Sequence, residues 1–387
     1  MSEWKKVPLD KMGVISRGKS KHRPRNDARL FGGKYPFIQT GDIGTAGLYV
    51  QNYSQTYNEE GLAQSKLWDK DTLCITIAAN IADTALLAFP ACFPDSIMGF
   101  VPYENVSNVK YVKYCFDILK KDCQQISQGT AQDNLSWKKL STILFPCPPI
   151  EVQNRIVENL SRYDSLIENY QKQIKLLEEA AQRLYKEWFV DLHFPGHENT
   201  KIVDGVPEGW ERKTLDEFCS VFTGKKNANA AVQSGKYKFF TCGDTPLQID
   251  SYIYDGPAII ISGNGSYTGR TTFFEGKFDL YQRTYACTID NNENRDLIYG
   301  LFEIVKCELT TQISGGTHGA AIPYIVMGDL TKFTFTSNDI VLRKFSKIIK
   351  SFLDRTMCIS SQIRLLTEAR DRLLPKLMSG EIEVGKE

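Results

Sequence analysis

The residues best placed to do chemistry in this sequence are cations. Arg17, Lys19, Lys21, Arg23 and Arg25 alternate along the chain, with Arg29 beyond them and only Asp27 in opposition. On an extended segment, a period of two sets all five on one side. A row of guanidinium and ammonium groups of that kind engages phosphates. Lys225 and Lys226, with Asn227 and Asn229 beside them, form a thinner second basic loop. Polar segments recur as well: Gln128, Thr130, Gln132 and Asn134 in one, Thr317 and His318 in another. Asn80 ends an apolar run, and Asn264 follows a second one, with Tyr267 and Arg270 just downstream. Asn, Gln, Arg and Lys on flexible backbone are the side chains that read base edges. The expected DNA contacts are therefore Arg17, Lys19, Lys21, Arg23, Arg25, Asn80, Gln128, Thr130, Gln132, Asn134, Lys225, Lys226, Asn227, Asn264, Tyr267, Arg270, Thr317 and His318.

Other chemistries find little support. Gly263-Asn264-Gly265-Ser266-Tyr267-Thr268-Gly269 follows an apolar strand, but its third glycine is one residue late for a dinucleotide loop. Thr271-Thr272-Phe273-Phe274 then favours a strand over the helix that would hold a pyrophosphate, so the segment reads as a hairpin loop. Ser314-Gly315-Gly316-Thr317-His318-Gly319 lacks the Gly-Lys-Ser/Thr ending of a phosphate-binding loop. His193 and His197 have a metal-like spacing, but Pro195-Gly196 breaks any helix between them and no Cys pair lies near. There is no Asn-Pro-Pro-aromatic segment of the kind that handles an adenine amino group. No catalytic residue and no metal site is expected on this chain.

Composition sets the frame. With 387 residues, 42% hydrophobic and 24% charged, the chain has the length for two or three ordinary domains. Its formal charge of +1 means that a nucleic-acid partner must meet a local basic patch. The apolar runs at 85–89 and 258–261 are far short of a membrane span, and residues 1–6 show no secretory signal. Ten cysteines without a Cys-x-x-Cys pair read as reduced, mostly buried thiols of a cytoplasmic protein.

The elements that must position these loops occur twice. Trp4-(x)4-Leu9-Asp10 followed by Gly18-Lys19 recurs as Trp210-(x)4-Leu215-Asp216 followed by Gly224-Lys225. Tyr35-Pro36-Phe37-(x)3-Gly41-Asp42 recurs as Tyr237-Lys238-Phe239-(x)3-Gly243-Asp244. Leu140-(x)4-Phe145 recurs as Leu330-(x)4-Phe335, and Gln173-Ile174-Lys175-Leu176-Leu177 as Gln362-Ile363-Arg364-Leu365-Leu366. Two copies of this length make domains with appendages rather than solenoid repeats.

Each appendage reads as a helix. Apolar residues fall at Ile156, Leu160, Tyr163, Ile167, Tyr170, Ile174, Leu177, Ala181, Leu184 and Trp188, in alternating steps of four and three. The second copy places Phe345, Ile349, Phe352, Thr356, Ile359, Ile363, Leu366, Arg370, Leu373 and Leu377 on the same stripe, broken only by Thr356 and Arg370. This is the heptad spacing of a coiled-coil seam. Pro148-Pro149 and Ser337-Asn338-Asp339 are start signals, while Pro195-Gly196 and Gly380 are stops. A stripe of that length spans about 50 Å, more than a small domain can cover, so the two seams are expected to bury against each other antiparallel.

The remainder reads as strands at 35–40, 73–77, 237–241, 258–262, 271–274 and 332–336, with few helices. The fold class expected is α+β, a pseudo-twofold repeat of two strand-rich domains joined by a long antiparallel two-helix coiled coil. Its parts are a first domain at 1–148, a central spacer helix at 149–192, a linker at 193–209, a second domain at 210–337 and a C-terminal spacer helix at 338–380.

This plan, with its local text, resembles the specificity subunits of type I restriction–modification enzymes. Phe145-Pro146-Cys147-Pro148-Pro149-Ile150-Glu151-Val152-Gln153 is similar to that family's approach to its central spacer helix. Trp188-Phe189-Val190-Asp191-Leu192 through Val206-Pro207-Glu208-Gly209-Trp210 is similar to its passage into the second target-recognition domain. Leu373-Leu374-Pro375-Lys376-Leu377-Met378-Ser379-Gly380-Glu381-Ile382 is similar to its usual C-terminus. The resemblance covers essentially the whole chain. It implies a non-catalytic subunit of a bacterial defence system that binds an asymmetric bipartite site in double-stranded DNA. It further implies two methyltransferase subunits and endonuclease subunits as partners, no cofactor on this chain, and S-adenosylmethionine, ATP and Mg on those partners. Outer helix residues Glu178, Glu179, Arg183, Lys186, Glu368 and Arg372 are candidates for docking them. Two other classes fit part of the sequence: a self-contained methyltransferase or nuclease, or a pure coiled-coil assembly scaffold.

Overall fold

The repeat in the sequence returns as a repeat of strands and helices in the structure, a computed structural model that describes residues 4–78, 80–127, 135–313 and 324–382. The chain divides into two units, Met1–Gln171 with Ser361–Glu387, and Lys172–Ser360. Each is tied off by a two-stranded ribbon. In the first, Lys6–Pro8 pairs antiparallel with Leu144–Pro146, Val7 opposite Phe145. In the second, Glu211–Thr214 pairs antiparallel with Thr334–Ser337, Lys213 opposite Phe335. The repeat partners Leu9 and Leu215 follow the first strand, Leu140 and Leu330 precede the last, and all four are fully buried. Gly18 and Gly224 also match in role. A Cβ on Gly18 would lie 2.3 Å from the Pro94 carbonyl oxygen, and one on Gly224 1.8 Å from that of Leu280. Only glycine lets the chain press so closely on neighbouring backbone there.

In the first unit, five strands stand in the order Gly13–Arg17, Ile97–Pro102, Leu73–Thr76, Thr84–Leu87, Tyr49–Val50. All pairings are antiparallel except the last. Leu73–Thr76 is buried on both faces, which is why it reads as an unbroken apolar run rather than an alternating one. A second sheet sets Gln55–Tyr57, Phe31–Phe37, Ala91–Cys92 and Leu67–Trp68 side by side. Its aromatic knot stacks Phe37 on Tyr57 at 4.1 Å. In the second unit, six strands run in the order Ser220–Thr223, Thr284–Thr288, Tyr254–Ser262, Thr271–Leu280, Tyr237–Phe240, Leu247–Ile249. The hairpin expected around 263–270 is present, with Ile261 opposite Thr271 and positive φ at Gly265 and Gly269.

Among the described residues, four helices are long: α1 (Val109–Ser127), α2 (Ile150–Tyr185), α3 (Ile298–Ile313) and α4 (Asp339–Met378). The expectation of few helices within the domains is corrected by α1 and α3, each of which packs on its unit's sheet. Both spacer helices form as expected. Asn338 caps α4, its Oδ1 accepting from the Ile340 and Val341 N–H groups, and Gly380 stops it at φ +72°. None of the predicted seam residues is exposed, from Ile156, Leu160, Ile167, Ile174, Leu177, Leu184 and Trp188 on α2 and its extension to Ile349, Phe352, Ile363, Leu366, Leu373 and Leu377 on α4. Off the stripe, Leu176 and Leu365 are more than half exposed.

Both units show the two helices antiparallel. In the first, Ile156, Val157 and Leu160 share a core with Leu374, Leu377 and Met378. In the second, Trp188 lies 5.7 Å from Phe345, and Arg355 donates to Gln173 at 3.5 Å. The stripe-breaking Arg370 is no flaw: it pairs with Asp164 of α2 at 2.7 Å. Beyond Tyr185, α2 widens into a π-type turn over Lys186–Val190, which carries Trp188 and Phe189 onto Phe345. The linker is more ordered than its composition suggests. Phe194 packs on Trp210 at 4.9 Å, and Ile202–Val203 pairs with Val206–Pro207 across a primed turn, Asp204 and Gly205 both at positive φ.

Candidate nucleic-acid interface

The first basic loop is not one extended segment, which corrects the period-two expectation. The strand ends at Arg17, and the chain then folds onto residues 93–97: Gly18 N–H donates to Ile97 O at 2.8 Å and Lys19 N–H to Phe93 O at 3.0 Å. The fold therefore sorts the cations into two groups. Arg23 and Arg25 converge on Asp95, at 3.8 and 2.5 Å. Arg17, Lys19 and Lys21 meet no acidic partner among the described residues. Arg29 is held by Asp27, whose carboxyl lies well below the usual carboxylate range because Arg29, and then His22, donate to it.

The second basic loop is sorted the same way. Lys226 reaches inward to Asp279 at 2.7 Å and to Ser251, and Asp279 is buried, so this lysine neutralises a core carboxylate. Lys225 and Asn227 face solvent.

The polar loops come together in pairs. In the first unit a Cβ on Gly44 would lie 3.0 Å from Asn80 Nδ2, so the short helix Thr40–Gly44 that follows the Tyr-Pro-Phe strand abuts the Asn80 loop. In the second unit, the repeat partner of Asp42, Asp244, accepts from Arg270 Nη1 at 2.7 Å, and the Arg270 guanidinium stacks 4.9 Å from the Tyr267 ring. Asn264 sits at the head of that same loop. The same two segments thus adjoin in both units. Gln128, Thr130, Gln132, Asn134, Thr317 and His318 lie outside the described residues.

Sequence reasoning missed a third feature beside the basic loop. A cleft of about 340 Å³ is lined by Arg25, Asn26, Phe31, Gln39, Gln55 and Ser96, among others. Within it Gln39 Nε2 donates to Gln55 Oε1 at 2.7 Å. Gln39 follows the Tyr-x-Phe motif of the repeat by two residues, but nothing in the sequence marks it as Gln55's partner.

Among the described residues of these loops, His22 pairs with Asp27 at 2.8 Å, and that carboxylate is already held by Arg29. Burial raises Tyr114, Tyr185 and Glu303, all of them away from these loops. The rings of His193 and His197 are 5.2 Å apart, and His197 Nδ1 pairs with Phe194 O. Among the described residues no group of three or more His, Cys, Asp or Glu side chains converges, and no helix is long and apolar enough to cross a membrane. All ten cysteines are free thiols, with Cys358 exposed.

The chain matches the family model described as the type I restriction modification DNA specificity domain over residues 1–179 and 207–337. The MjaIX type I restriction enzyme specificity subunit of Methanocaldococcus jannaschii is 25% identical, over 99% of this chain and 94% of its own length. The EcoDI specificity subunit of Escherichia coli is 31% identical over 46% of this chain and 39% of its own. The crystal structure of a type I restriction–modification S subunit from M. genitalium superposes with a TM-score of 0.63 at 17% identity, covering 97% of this chain and 96% of that one.

Proposed function

The chain belongs to the type I restriction modification DNA specificity family, and from that premise we propose how it works. It is a non-catalytic specificity subunit of a type I restriction–modification system. Residues 1–148 engage one half of a bipartite double-stranded DNA site and residues 210–337 the other, while 149–192 and 338–380 serve as spacer helices and 193–209 as linker. The two domains carry different loops, so the target need not be palindromic. Arg17, Lys19, Lys21 and Lys225 contact phosphates, and Asn80, Asn264, Tyr267 and Arg270 face the bases. The outer faces of the spacer helices hold two methyltransferase subunits, endonuclease subunits join them, and S-adenosylmethionine, ATP and Mg are bound on those partners in the cytoplasm.

One observation carries this reading. The repeat brings the same two polar segments together in both units, and each unit also carries cations, Arg17, Lys19 and Lys21 in the first and Lys225 in the second, that meet no acidic partner among the described residues. The test is to co-express the chain with the methyltransferase subunits of its own system and map modified adenines across the host genome. A two-part motif should appear with this chain and vanish without it. Methylation that persists unchanged in its absence would refute the assignment.

A further inference from the structure

Gln39 and Gln55 are sixteen residues apart: Gln55 opens the strand Gln55–Tyr57, opposite Phe37 at the end of Phe31–Phe37, and Gln39 follows that strand by two residues. Both are exposed, yet they are tied to each other rather than left to solvent. Gln39 is anchored at its backbone, where its N–H donates to Asp42 Oδ2 at 2.7 Å at the start of the short helix Thr40–Gly44. Its side-chain amide in turn donates to Gln55 Oε1 at 2.7 Å, which fixes which end of the Gln55 amide faces inward. Gln39 Oε1 and Gln55 Nε2 are then the unpaired ends of the couple among the described residues. One acceptor and one donor side by side is the set that adenine answers in the major groove, with its N6–H donor and N7 acceptor.

The surroundings favour the same role. The cleft holding the pair is walled by Phe31, and Arg25 stands at its edge within the loop that presents Lys19 and Lys21. The amide pair thus shares its cleft with Arg25, whose guanidinium is held at Asp95. Ordering each long side chain costs up to about 2 kcal/mol of rotamer freedom, so a pair already held by its own hydrogen bond meets a base with part of that cost met.

We infer that the Gln39–Gln55 pair reads an adenine in the half-site bound by the first domain, Gln39 Oε1 accepting from the N6 amino group and Gln55 Nε2 donating to N7. This rests on the specificity-subunit reading above. The experiment uses the full chain in complex with its methyltransferase subunits and determines the modified motif by genome-wide mapping for wild type, Gln55→Ala, Gln39→Ala and Gln55→Lys. Gln55→Ala should relax one A·T position of one half-site, with discrimination falling about 10- to 100-fold, and leave the other half-site intact. Gln39→Ala should relax the same position. Gln55→Lys should shift that position toward guanine, whose O6 and N7 a lysine contacts. Motifs identical to wild type in all three variants would overturn the inference while leaving the specificity role standing. Loss of all modification by Gln55→Ala with unchanged thermal unfolding and unchanged binding to non-specific duplex would support it. The same loss with binding to every duplex abolished would overturn it in favour of a structural role. A wild-type complex with no two-part motif would instead defeat the underlying reading.

Discussion

Arg370→Ala should destabilise the first unit by about 3 kcal/mol, and the structure explains the size. Arg370 breaks the apolar stripe of α4 to meet Asp164 of α2 at 2.7 Å, and Tyr114 of α1 donates to the other Asp164 oxygen at 2.5 Å. The Asp164 side chain is only 9% exposed and that of Arg370 28%. At an effective dielectric of ~20 and about 4 Å between charge centres, the attraction is about 4 kcal/mol. Desolvating the two ions costs several kcal/mol, so the intact pair adds little to stability. Removing one partner is another matter, because it strands a buried charge at about 3–5 kcal/mol. The surviving Tyr114 hydrogen bond keeps the loss near the lower end. The corollary is sharper. Tyr114→Phe, Asp164→Leu and Arg370→Leu together leave no orphaned polar group and restore the stripe, so the triple variant should match or exceed the parent. Denaturant unfolding, with hydrogen exchange localised to residues 156–164 and 370–378, separates this unit from its neighbour. An Arg370→Ala protein within about 0.5 kcal/mol of the parent, or a triple variant weaker than the single one, would refute the reasoning.

Arg17→Ala, Lys19→Ala and Lys21→Ala combined should weaken binding to any duplex and flatten its salt dependence by about 0.9 per lost phosphate contact, whereas Arg25→Ala, already paired with Asp95, should change the slope less. Equal slopes for both would contradict the sorting of the loop. Glu303 is buried, and burial pushes its carboxyl above the ordinary 4.5. A raised folded value means its contribution is present below pH 4.5 and lost as pH rises, so Glu303→Gln should raise the melting temperature at pH 8 and lose that advantage toward pH 4. Gly18→Ala forces a methyl to within 2.3 Å of a carbonyl oxygen and should cost about 1–3 kcal/mol, measurable by denaturant midpoint.

The spacer helices were legible because a heptad stripe is periodic and long, and the domains because their motifs recur in one order. Two helices escaped. Val109-Lys110-Tyr111-Val112-Lys113-Tyr114 is rich in β-branched and aromatic residues, which imitates a strand. Helix α3 carries apolar residues nearly all round, so no period stands out in it. The cation row was visible, but not that Asp95, seventy residues from Arg25, would claim part of it. The same holds for Lys226 and the buried Asp279, and for Gln39 and Gln55. Such pairings are made by tertiary neighbours, and residue spacing carries no trace of them.

The two-stranded ribbons have an evolutionary consequence. In each copy of the repeat the first strand and the last run hydrogen-bonded side by side, Lys6–Pro8 with Leu144–Pro146 and Glu211–Thr214 with Thr334–Ser337. Neighbouring strands lie about 4.8 Å apart. Whatever the chain does between them begins and ends at one clasp. Insertions, deletions or wholesale replacement inside that loop of polypeptide need not alter where the following helix starts. This fits an internal repeat whose domains differ in length while the helical stripes keep register residue for residue. Such a chain can acquire a new binding body by recombination at two short, adjacent seams, without re-evolving its frame.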